Sequence, residues 1–131
     1  MQPKDAPVGC QLWRLAAMPE EPVDTHGGTG AAFGQRLVNR NPAEEPLHFV
    51  DFVILRPGGS IGPHAHKKSH EEFYFIVSGT GIMHLDGRDF PVSDLDLVRN
   101  LPGGTHGLIN VGTENMKILV FQVSATEVDA V

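Results

Sequence analysis

A chain of 131 residues is long enough for one ordinary domain and too short for two. Hydrophobic residues make up 40% of it, no apolar run approaches the roughly 18 residues of a membrane span, and the opening MQPKDAPVG lacks the apolar stretch of a signal peptide, so the expected setting is the cytoplasm. A formal net charge of −6, with no basic cluster larger than Lys67-Lys68, argues against nucleic acid and leaves a small molecule as the expected partner.

In chain order, a polar tail runs to Gly9 and is followed by residues 11–18, QLWRLAAM. There Leu12, Trp13 and Leu15 fit either a strand or a single helical turn; a strand packing on the rest of the domain or on a second subunit is preferred. The lone Cys10 cannot form an internal disulfide. Residues 18–30 have no apolar period and read as loop, with His26 an exposed loop residue. Residues 1–30 are thus expected to be an extension and residues 31–131 the main body of the fold. Residues 33–39 read as a strand and residues 47–56, LHFVDFVILR, as a longer one, apolar on both faces and therefore covered on both. His48 is expected at the exposed end of that strand.

The stretch from 58 to 79, GGSIGPHAHKKSHEEFYFIVSG, carries the chemistry. Residues two apart on a strand point the same way, so His64 and His66 present both imidazoles on one face, the geometry of a metal-ligand pair. Residues 73–77 are aromatic and β-branched, and Glu72 at the mouth of that strand returns a carboxylate towards the imidazoles. Glu71 reads as its solvated neighbour. If Glu72 points inward, Tyr74 and Ile76 do too, while Phe73 and Phe75 face another layer or a partner subunit. Strands follow at 81–85 and 88–92 around the hairpin signal Asp86-Gly87, then at 95–99, 105–110 and 116–123. His106 is a fourth candidate ligand, with Asn110 on the same face as its supporting partner. His84 reads as exposed, Met83 and Phe121 as core. No segment has a helical period of normal length, so the expected fold is closed and all-β.

These residues resemble the cupin family. Its first motif is matched by Gly58, His64, His66, Glu72 and Gly79, and the end of its second by Gly103, His106 and Asn110. Five residues separate His66 from Glu72 where the family has three or four, and the loop 67–70 absorbs the difference. Glu72 is preferred to Glu71 because it keeps the family's six residues to Gly79. Leu95 and Leu101 stand where the second motif has Gly and Pro. The resemblance implies a jelly-roll barrel (double-stranded β-helix) in a single domain, a homodimer with the N-terminal strand packed on the neighbouring barrel, and His64, His66, Glu72 and His106 as metal ligands. Three imidazoles and one carboxylate suit one divalent transition metal, Mn, Fe, Co, Ni, Cu or Zn, and disfavour Mg and Ca. A site left near +1 favours an anionic or polyhydroxylated small molecule. Two functions are expected: a metal-dependent enzyme acting on a small oxygenated molecule (dioxygenase, decarboxylase, isomerase or cyclase), or a non-catalytic cup for a carbohydrate or carboxylate. For the enzyme, His70 or Tyr74 is the proton-transfer candidate. His70 reads equally as a loop residue, and Tyr74 as a packed aromatic.

Overall fold

The computed structural model of the chain describes residues 3–125. Nine strands build it: β1 (Ala32–Asn39), β2 (Leu47–Leu55), β3 (Ser60–Ala65), β4 (His70–Ser78), β5 (Gly81–Leu85), β6 (Arg88–Val92), β7 (Leu97–Asn100), β8 (Thr105–Asn110) and β9 (Met116–Ser124). One sheet has the order β1-β2-β9-β4-β7, the other β3-β8-β5-β6, and all their pairings are antiparallel. Their inner faces meet as a jelly roll. Asp86 (φ 48°) and Gly87 (φ 81°) make the tight β5–β6 turn that their sequence signals. Among the described residues no helix is long and apolar enough to cross a membrane.

The interior changes character along its length. Inward positions on β4 run Ile76, Tyr74, Glu72, His70, and their β9 partners run Ile118, Val120, Gln122, Ser124. On β7, Val98 is followed by Asn100, and on β8, Leu108 by His106. At the apolar end Leu55, Ile76, Met83, Met116 and Ile118 are fully buried, each contributing about 1.5–3 kcal/mol of transfer free energy. Cohesion is therefore concentrated at one end, and polar side chains are gathered at the other.

Several expectations need correction. Residues 11–18 hold no strand; instead Leu15–Ala17 is one 3-10 turn, with Ala17 N–H donating to Arg14 O and Met18 N–H to Leu15 O. Leu12, Trp13 and Leu15 are only half-buried, and the edge of β1 is covered by residues 21–23 through Gly34 N–H to Glu21 O and Val23 N–H to Ala32 O. Phe121 lies on the outer face, stacked on Phe73, rather than in the core. Asn110 does not support the ligands: its amide donates to Leu55 O and Glu114 O, and its Oδ1 accepts from Gly112 N–H, so it fastens the turn at the opposite end of β8.

β7 begins at Leu97, two residues later than expected, because residues 93–96 close a turn with Leu95 at φ 67°. Leucine in that region costs about 1–2 kcal/mol, whereas glycine would take the position without strain. Leu95 is 73% exposed and has little burial to lose. Leu95→Gly should stabilise the protein by about 0.5–1 kcal/mol after the added unfolded-state entropy of glycine, read as a denaturation midpoint. A lower midpoint would show that the leucine side chain does more than tolerate its backbone.

Candidate metal centre

The two sheets face each other across four side chains. His64 on β3 pairs directly with His106 on β8, while His66 follows the end of β3 and Glu72 comes from β4 of the opposite sheet. A break of register between Ile61 and His64, at Gly62-Pro63, turns the end of β3 so that both Ile61 and His64 face inward. One potential ligand atom from each of His64, His66, Glu72 and His106 lies within 4.8 Å of every other. Glu72 Oε1 is 3.1 Å from His106 Nε2 and 3.7 Å from His64 Nε2, and its Oε2 is 3.0 Å from His66 Nε2.

The electrostatics are those of a charged carboxylate held by imidazoles. Burial opposes the charge of Glu72, but His106, His64 and His66 outweigh it and hold the carboxyl well below the usual carboxylate range. Burial likewise lowers the His106 pKa more than Glu72 raises it; at His64 the contacts with Glu72 and the Gly62 carbonyl overcome burial and raise it. His64 donates Nδ1–H to Gly62 O at 2.9 Å, which fixes its tautomer and leaves Nε2 as a lone-pair donor facing Glu72. The Nε2 atoms of His64 and His66 are buried and turned on Glu72, at 3.7 and 3.0 Å, but neither makes a well-aligned hydrogen bond. Buried nitrogens of this kind are costly unless something binds them, and an N/O set of three imidazoles and one carboxylate fits a divalent transition metal.

Beside this cluster is a cavity of about 240 Å³, whose wall includes Thr25, His26, Arg36, Asp51, Glu72 and Tyr74. Arg36 is held bidentately by Asp51 (2.8 and 2.9 Å) and lies over the Phe49 ring. Tyr74 is 1% exposed and meets the His106 ring edge-on; burial, then the charge of Glu72, keep its phenol protonated well above the ordinary value.

His26 belongs to the site, which the sequence does not indicate. Its ring stacks on His64 at 3.6 Å and 10°. Residues 25–29 are strapped along β3: Gly62 N–H donates to Thr25 O, Thr25 Oγ1 to Ser60 O, Ser60 N–H to Thr29 O and Thr29 N–H to Ser60 Oγ. The chains approach so closely that a Cβ on Gly28 would stand 2.0 Å from Ser60 O, and one on Gly62 2.2 Å from His26 O. Within this strap His26 stands at φ 56°, a left-handed backbone that is uncommon for a non-glycine residue. Gly28 and Gly62 are the residues that permit so close an approach.

His48 and Glu71 also depart from expectation. A bulge between Leu47 and Phe49 turns His48 inward beside Phe49, and it is 1% exposed. The Gln122 amide donates to Nδ1 of His48 (2.9 Å) and of His70 (3.3 Å), and His48 Nε2–H donates to Ser124 Oγ (2.9 Å). His70 therefore starts β4 on the inward face, one step rimward of Glu72, and does not line the cavity. Burial and His48 lower its pKa. Glu71 is not solvated: it faces outward, 6% exposed, and takes Arg99 at 2.9 Å.

Comparison with known proteins adds the following. Residues 51–122 match the family described as the cupin domain. The chain is similar to an oxalate-binding protein of Thermotoga maritima, 28% identical over 101 residues, covering 77% of this chain and 83% of that protein. It is 38% identical over 77 residues to the polyketide synthase CurC of Streptomyces cyaneus, covering 58% of this chain and 48% of that one. Among solved structures, a Thermotoga maritima protein described as a predicted oxalate decarboxylase superposes with a TM-score of 0.79 at 24% identity, over 88% of this chain and all of the other. KdgF from Halomonas sp. superposes at 0.63 with 18% identity, over 82% and 88%. These structural likenesses show the fold.

Proposed function

Since the chain belongs to the cupin domain family, we propose that it is a metal-binding cupin that holds one divalent transition metal ion on His64, His66, Glu72 and His106 and acts on a small anionic, oxygen-rich molecule in the adjoining cavity. The observation that carries this reading is the convergence of three imidazoles on one charged, buried carboxylate, with a potential ligand atom of each of the four residues within 4.8 Å of every other. When bound, the ion supplies Lewis acidity towards an oxygen ligand. The protein's own groups do the rest. Neutral imidazoles and one carboxylate leave the loaded centre near +1, which attracts an anion. Tyr74, kept protonated, donates a hydrogen bond from the wall instead of acting as a base. His70 is the proton-transfer candidate at the rim, and to take up a proton it would have to release the Gln122 amide from its Nδ1. His26 closes the mouth over His64.

A cavity of about 240 Å³ suits a ligand of few heavy atoms, and the oxalate-binding relative makes oxalate the first probe. Calorimetry on Mn(II)-loaded and metal-stripped protein should show oxalate binding at least about tenfold tighter, some 1.4 kcal/mol, to the loaded form. Equal binding with and without metal would contradict the proposal. Oxalate consumed on incubation supports an enzyme. Oxalate recovered intact supports the alternative, a non-catalytic cup, which the name of that relative favours. We further propose a homodimer through the outer face of β4, β9 and β7, where Phe73 stacks on Phe121 and Leu97 is 58% exposed. A light-scattering mass of one chain would rule this out.

A further inference from the structure

We propose that Asn100 is a further residue of this site, its amide held on the β7 side of Glu72, away from the cavity, to hydrogen-bond a water or other oxygen ligand that the loaded centre takes up there. The inference rests on the metal-binding reading above. Asn100 ends β7 directly opposite Glu72. Residues so paired have Cβ atoms about 4.5–5.5 Å apart on one face, and that face is the inner one, as Glu72 and the buried Val98–Tyr74 pair show. Asn100 is 1% exposed, yet neither its Oδ1 nor its Nδ2 has a hydrogen-bond partner.

The protein's other buried amides are hydrogen-bonded. Asn110 is bonded through both atoms, to Leu55, Glu114 and Gly112, and the Gln122 amide donates to His48 and His70. Asn100, Glu72 and Gln122 form one row across β7, β4 and β9, and Asn100 is its unsatisfied end. A buried amide left unpaired costs about 1–3 kcal/mol for each group, so an apolar side chain of the same branched shape, such as leucine, would serve the empty fold better. The residue fits a bound oxygen instead. Its carbonyl oxygen can accept a hydrogen bond from water and its NH2 can donate one to an oxygen ligand, and, being neutral, it adds no charge beside Glu72.

The test compares Asn100→Leu and Asn100→Ser with wild-type protein, reading the Co(II) dissociation constant by competition with a chelating dye and the unfolding midpoint of the metal-free protein. Both variants should bind Co(II) about tenfold or more weakly, the loss typical when a partner outside the ligand set is removed. The metal-free Leu variant should unfold at the same midpoint as wild type or higher. A residue that only holds the fold would give the reverse pattern. Co(II) affinity within about twofold of wild type in either folded variant overturns the inference, as does a lowered metal-free midpoint with unchanged affinity. Wild-type protein that takes up no Co(II) overturns the proposed function and this inference together; tight binding by wild type and variants alike overturns this inference alone.

Discussion

His106→Ala should lose the metal and keep the fold. His106 is one of the most deeply buried polar residues, at 1% exposure, and its Nε2 is 3.1 Å from Oε1 of Glu72, the carboxylate that all three imidazoles face. Loss of a group that merely orients a ligand weakens metal binding about 10–100-fold, so loss of a ligand should exceed about 100-fold. The cost to the metal-free protein is smaller. Alanine leaves a void beside Tyr74 but also removes a desolvated imidazole with an unpartnered Nδ1, so the expected change in stability is about 1–3 kcal/mol. Elemental analysis with circular dichroism separates the two effects. Metal content equal to wild type would remove His106 from the ligand set, and an unfolded variant would show that the imidazole is needed by the core.

The second large effect distinguishes two adjacent carboxylates. Glu72→Gln keeps the side chain's shape but removes the charge that three imidazoles surround, and metal retention should collapse. Glu71→Gln touches the other face of the same strand. It weakens the ion pair with Arg99, where Glu71 Oε2 accepts from both Nε and Nη2 at 2.9 Å, and should cost about 1–3 kcal/mol of stability while the metal stays. The two variants therefore move different observables, metal content for Glu72 and unfolding midpoint for Glu71. Loss of metal in Glu71→Gln with retention in Glu72→Gln would reverse the assignment of the carboxylate ligand.

What could be read from the sequence was whatever local periodicity and spacing carry. Alternation of two put Glu72, Tyr74 and Ile76 on the inner face of β4, and Asp86-Gly87 marked the β5–β6 hairpin, because strand parity and turn chemistry act over a few residues. The spacing of His64, His66, Glu72 and His106 marked residues that the fold does bring within 4.8 Å. Four other features depend on contacts between distant segments. His48 escaped because the bulge beside it reverses the alternation that put it on the opposite face from Phe49. Glu71 looked solvated because its partner, Arg99, lies on β7 and reaches it only once that strand has paired with β4. His26 gained its place from a strap on β3 some 35 residues away in sequence, as the Thr25–Ser60 bond measures. Asn100 became legible only through the register that sets it against Glu72. The short segment 11–18 failed for another reason: its apolar residues are too few and too exposed to decide between a strand and a turn.

The most direct test of the metal centre is elemental analysis of the untagged wild-type protein, purified without chelator and without added metal. The account predicts about one ion of Mn, Fe, Co, Ni, Cu or Zn per chain, as the N/O donor set requires. Protein that carries no such ion, and retains none after dialysis against each in turn, would contradict it.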